Sequence, residues 1–173
     1  GQQLAGAGNA GKPLQLATGG TTSYKIVRPE APNPVDDYAV QELRGYLGQI
    51  TGADFNVIAP EAVKADGRHV FVGLSAPVRE RLSEKPLSDL QPQQHVARSK
   101  DGNIFLYGKG VHGNLNAVMH FLRASLDWRW YTRFEHPVIP DKPTVTLAPF
   151  HRVQGYDFTY REVHMHRGMD WPL

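Results

Sequence analysis

The sequence predicts an α+β domain, a β-sheet with helices packed on it, and three observations carry that expectation. Short β-rich runs outnumber two amphipathic helical stretches and come in the order β-α-β-β-α-β. The helical stretches repeat apolar residues at intervals of three and four. A length of 173 residues, 40% hydrophobic and 21% charged, suits one core rather than disorder or a coiled coil.

The elements follow in order. Ala5 to Gly20 is rich in Gly, Ala and Thr, so residues 1–21 are expected to form a flexible N-terminal segment. Tyr24-Lys25-Ile26-Val27-Arg28 alternates and reads as a strand, ended by Pro29, Pro32 and Pro34. Asp36 or Asp37 is placed to cap the helix that follows, because a carboxylate accepts the orphan amide protons there and suits the positive end of the dipole. Ala39, Leu43, Leu47 and Ile50 then form an apolar stripe, and Gly52 supplies the stop.

Phe55 to Ile58 and His69 to Gly73 read as strands, the second apolar almost throughout, as in a strand covered on both faces. Ala76 to Leu82 reads as a short helix closed off by Pro86. Asp101-Gly102 is a strong turn signal between the strands Gln94 to Arg98 and Asn103 to Tyr107. Gly108-Lys109-Gly110 leads into a second long helix with Val111, Leu115, Val118, Met119 and Leu122 on one side. Arg129 to Thr132 reads as extended, and Thr144 to Leu147 as a short strand in a Pro-rich stretch. The domain therefore runs from 22 to 150. Residues 151–173 are a linker and a further strand, Tyr156 to Met165, which cannot bury its own faces. That strand must pair with the preceding domain, pair with another copy, or belong to a further domain.

Composition excludes several functions. The charge is +2, from 19 Lys and Arg against 17 Asp and Glu, too balanced for a dedicated nucleic-acid surface. There is no Cys, which removes disulfides, thiolate zinc sites and cysteine nucleophiles. No run approaches the roughly 20 apolar residues that span a bilayer, so no membrane partner is expected. Gly1-Gln2-Gln3-Leu4 has neither the basic nor the apolar part of a signal peptide.

The candidate chemistry is modest. Gly108-Lys109-Gly110 before a helix invites a phosphate-loop reading, but no Gly-Lys-Ser/Thr follows, and glycines for a sharp turn explain it better. No cofactor is expected. Glu162, His164 and His166 would share one face of a strand, a spacing able to hold a divalent metal; a polar strand face explains them better. Trp128, Trp130 and Tyr131, with Phe134 nearby, form an aromatic cluster able to stack on sugar rings, although a strand buried against the second helix is the commoner outcome. Neither a Gly-x-Ser-x-Gly elbow nor a facing carboxylate pair announces itself within residues 1–150.

Several stretches taken together resemble known proteins. Tyr38-Ala39-Val40-Gln41-Glu42-Leu43-Arg44-Gly45-Tyr46-Leu47, followed by Ile50-Thr51-Gly52-Ala53, is similar to a helix in the small non-catalytic domain that precedes the barrel of bacterial α-glucuronidases and β-N-acetylhexosaminidases. The strand His69-Val70-Phe71-Val72-Gly73, the Asp101-Gly102-Asn103-Ile104 turn, the run Gly108 to Leu122 and the closing Leu126-Asp127-Trp128-Arg129-Trp130-Tyr131 resemble that domain in the same order. The resemblance covers residues 22–150.

It implies an α/β sandwich: a mostly antiparallel or mixed sheet with two main helices on one face. It implies a catalytic (β/α)₈ barrel as partner, beginning in this chain at Tyr156 to Glu162, with Arg161 as a sugar contact once that barrel is complete. Catalytic residues lie on later strands, so none is expected here, and this chain alone is expected to be a non-catalytic fragment of a glycoside hydrolase. The resemblance also implies a bacterial, exported (periplasmic or extracellular) parent. The alternative is a stand-alone carbohydrate-binding module using Trp128, Trp130 and Tyr131. Pairing of copies through the unpartnered C-terminal strand would give a homo-oligomer.

Overall fold

Alternation along the strands decides how the chain layers, since successive side chains point to opposite faces of a sheet. The computed structural model describes residues 11–82, 88, 90–131 and 135–155. In chain order these give β1 (Leu14–Ala17), β2 (Tyr24–Val27), α1 (Pro34–Thr51), β3 (Val57–Ile58), β4 (Arg68–Val72), α2 (Ala76–Leu82), β5 (His95–Lys100), β6 (Asn103–Gly108), α3 (Gly113–Leu126), β7 (Val145–Leu147) and β8 (His151–Gln154). Six strands form one sheet in the order β3-β2-β4-β6-β5-β8. The four on one side run parallel, while β5 and β8 are antiparallel to their neighbours. The sheet is mixed, and the α+β expectation holds.

Helices α1 and α3 cover one face, burying Leu43, Leu47, Phe121 and Leu122 against Ile26, Val70, Ile104 and Leu106. On the other face the alternate residues Val27, Phe71, Phe105 and Tyr107 meet Val78 and Leu82 of α2, with the rings of Phe71 and Phe105 stacked 5.1 Å apart. Each such side chain contributes about 1.5–3 kcal/mol when fully buried.

Several expectations require correction. Residues 1–21 are not wholly a flexible segment, because β1 pairs antiparallel with β7, Leu14 opposite Leu147. Leu14 and Leu16 alternate into the core, which repays their ordering despite the Gly- and Thr-rich neighbourhood. The sheet does not end at Phe150 either: residues 151–154 form β8, whose Val153 lies opposite Val96. The proposed strand from Tyr156 to Met165 lies outside the described residues. Neither Asp36 nor Asp37 is the N-cap of α1. Asn33 is, its Oδ1 accepting from the amides of Val35 and Asp36, while the Asp36 carboxylate accepts from the Asn33 amide at 3.1 Å. Pro34 moves the start forward, since proline suits the first helical position. Val111 precedes α3 and is exposed.

Asp101 and Gly102 both have positive φ, as a two-residue hairpin turn requires. The glycines that end β6 and begin α3 serve close approach. A Cβ on Gly108 would collide with the backbone of Gly113, and one on Gly113 with that of Gly108. Asn114 bridges the same place: its Oδ1 accepts from the Gly108 amide at 3.1 Å and its Nδ2 donates to Asp36 at 2.8 Å. The Gly113→Ala variant is therefore expected to lose about 1–3 kcal/mol through overpacking. Asn33→Ala is expected to lose about 1 kcal/mol as a cap deletion. Urea unfolding midpoints check both, and the order of the two losses should hold.

Candidate functional site

One flank of α3, at the border of the core, carries Leu115, Asn116, Met119, His120 and Arg123, with Leu115 and Met119 packed against the core cluster. Beside that flank lie His95, the first residue of β5, and Gln154 of β8, directly opposite it in register. The far wall is the chain after α3. Asp127 takes a left-handed conformation (φ 61°) and ends the helix, and the Trp128 amide donates back to Leu122 O at 3.3 Å. Arg129 pairs with Val138 through two backbone bonds, and its guanidinium donates to Trp128 O at 2.9 Å. Lys142 holds Asp127 at 2.5 Å. These contacts fix a groove of about 910 Å³ whose wall runs from Trp128 to Tyr131 and whose mouth reaches Gly155.

The three aromatic candidates divide here. Trp128 is only 5% exposed, with its ring against Tyr46 of α1 (centroids 5.0 Å apart), so it cannot act as a sugar platform. Trp130 and Tyr131 are 54% and 71% exposed. Trp130 meets Trp128 edge-on, at 6.5 Å between centroids. Arg161, Glu162, His164, His166 and Phe134 lie outside the described residues. Among the described residues no cluster of three His, Asp or Glu is arranged to hold a metal, and no helix is long and apolar enough to cross a membrane.

Sequence reasoning missed the polar floor. The rings of His95 and His120 meet edge to face, 5.3 Å apart. Both ring nitrogens of the buried His95, Nδ1 of His120 and Nε1 of Trp128 reach no hydrogen-bond partner. The Gln93 carbonyl acts on His95 electrostatically, favouring its proton, without reaching hydrogen-bonding geometry. Burial outweighs it and lowers the His95 pKa. His120 is pushed down to about 4, first by burial, then by the positive charge of His95, Arg152 and Arg123. Arg152 itself is held between the Phe150 ring and Ser125 Oγ. These residues come from three separated elements, so no local spacing in the sequence could have joined them.

Among the described residues, no Asp or Glu lines the groove. It therefore offers aromatic faces, donors and positive charge, but no carboxylate to act as acid, base or nucleophile. A smaller cavity of about 440 Å³ lies by Tyr24, Arg68 and Lys100. Their polar ends are spent on backbone carbonyls, of Gly102, Asp101 and Arg81 respectively.

This sheet and its helices are similar to part of a family GH115 4-O-methyl-alpha-glucuronidase with specificity for decorated arabinogalactans. The TM-score is 0.56 at 15% identity, over 82% of this chain and 18% of that one. The domain's fold occurs within a glycoside hydrolase. CpGH84D is also similar (TM-score 0.47, 13% identity, 80% of this chain and 21% of that one), as is a GH138 enzyme targeting pectin rhamnogalacturonan II (0.40, 14%, 66% and 11%). The chain thus spans no more than about a fifth of each of these proteins. No family model matches it, and no curated protein does.

The histidines give the fold a pH dependence. Unfolded, His120 takes up a proton near its ordinary pKa of 6.5; folded, it does so only near 4. The unfolded state binds more protons between those values, so stability is full above about 6.5 and declines as the pH falls toward 4. The thermal midpoint should be lower at pH 5 than at pH 7, and His120→Gln should flatten part of that slope. His95 and His69, whose pKa values burial also lowers, would supply the remainder. A midpoint unchanged between the two pH values would contradict this.

Proposed function

We propose that this chain is a non-catalytic, N-terminal accessory domain of a glycoside hydrolase, supporting a catalytic (β/α)₈ barrel that follows it. One observation carries the reading: the GH115 likeness takes in 82% of this chain but 18% of the other, so the shared fold is a minor part of a much longer carbohydrate-active polypeptide. The lack of a carboxylate among the described residues of the groove agrees with it, because glycosidic bond cleavage calls for two acidic side chains across the scissile bond. In such an enzyme those groups come from the carboxyl ends of several barrel strands. The domain's work is then to bury one side of the barrel and hold it folded. An exported bacterial parent belongs to the same reading.

Two measurements test it. Incubated with aryl glycosides and uronate oligosaccharides, the chain should release product no faster than buffer; clear turnover would defeat the reading. The genomic DNA beyond the Leu173 codon should stay open for a barrel length of about 250 residues. A stop codon directly after Leu173 would also defeat it.

A further inference from the structure

We propose that the groove between α3, the β5–β8 edge and the Trp128–Tyr131 segment is a binding subsite for a saccharide chain that carries carboxylate groups. The proposal stands on the groove's own chemistry and does not need the accessory role. Four features converge.

The first is shape. A volume of about 910 Å³ lies in the range of about 300–1,000 Å³ typical of small-ligand sites, and suits a short oligosaccharide. The second is the pair of exposed rings, Trp130 and Tyr131, which follow directly on Asp127 and Arg129, held by Lys142 and Val138. A rigid aromatic face with a polar tip matches a pyranose ring, whose flat sides present C–H groups and whose edge presents hydroxyls.

The third feature is the set of unpartnered polar atoms. His95, His120 and Trp128 line the groove, and both His95 ring nitrogens, His120 Nδ1 and Trp128 Nε1 lie beneath its surface, closed to water and without a partner. Leaving a buried polar group unpaired is costly, so such groups gather where something else completes them. A neutral imidazole offers one donor and one acceptor, and an indole offers a donor. Sugar hydroxyls, which both donate and accept, complete that set once these rings turn toward the groove, whereas an apolar ligand would complete none of it.

Charge is the fourth. Arg123 and Arg129 line the groove, Arg129 with its Nη1 already donating to the Arg123 and Trp128 carbonyls and Arg123 the freer of the two; Arg152 adds positive charge near His120, and among the described residues no acid lines the groove. A guanidinium binds a carboxylate through two parallel hydrogen bonds, which selects an acidic sugar over a neutral one. Asp127, at 3.8 Å from Arg129, is already held by Lys142.

Tryptophan fluorescence of the 173-residue chain, titrated at pH 7 with galacturonate oligomers, tests this directly. Saturable quenching is expected, weakened by added salt and absent or much weaker with neutral xylo-oligosaccharides and with polyglutamate. Trp130→Ala, Tyr131→Ala and Arg123→Ala should each weaken binding about tenfold while leaving the circular-dichroism melt in place. All three side chains are exposed, so one failed variant leaves two. The bound carboxylate should also raise the pH at which the His120 ring titrates by NMR. No saturable quenching at millimolar uronate would overturn the proposal. Equal binding of the neutral oligomer would overturn its acidic preference, and equal binding of polyglutamate would reassign the groove to an acidic peptide. Unchanged affinity in all three variants would move the site elsewhere.

Discussion

The contact on which most of the architecture depends is backbone against backbone, where the end of β6 meets the start of α3. Gly108 and Gly113 touch with no room for a side chain on either. Asn114 then locks the junction, bonding the Gly108 amide on one side and Asp36 on the other. Asp36 is also half of the capping box of α1. One small polar chain thus joins the amino ends of both long helices to the carboxyl end of a central strand. Because α3 is set down at this point and in this direction, Phe121 and Leu122 reach the sheet while Asn116, His120 and Arg123 are left on the open flank.

That placement explains why the groove is chemically unlike the rest of the molecule. Elsewhere most buried side chains are apolar, as with Phe71 stacked on Phe105. In the groove the same helix brings His120 against His95, and the end of the helix turns Trp128 inward with its Nε1 unbonded. Burial first, and then the charges of His95, Arg152 and Arg123, disfavour a proton on His120. Among the described residues the groove is lined by aromatic rings, imidazoles and guanidinium groups and by no carboxylate.

Much of the fold was legible from the chain alone because the long elements carry strong periodic signals. The stripe Ala39, Leu43, Leu47 and Ile50 is buried as its spacing requires, and Asp101-Gly102 makes the tight turn between β5 and β6. What escaped was governed by distant partners. Leu14 and Leu16 alternate over only four residues, and their worth appears only once β7, some 130 positions later, lies beside them. β8 was likewise hidden in a stretch that reads as linker. The cap of α1 went to Asn33 because a proline at the first helical position outranks a later carboxylate. In the groove, the sequence announced the aromatic cluster but not which ring would be buried, and the His95–His120 pair joins a strand to a helix 25 positions on. No window of sequence contains that pair.

The pairing of β1 with β7 has a consequence for how the domain holds together. It brings the described start of the chain beside the strand that precedes the final edge strand; a Cβ at Gly11 would sit 3.3 Å from Pro149. Gly11 and Pro149 are therefore neighbours, and β8 then carries the chain from His151, opposite Arg98, to Gln154, opposite His95 at the other end of β5. Two segments far apart in the chain thus share one seam, and an insertion in either would loosen both.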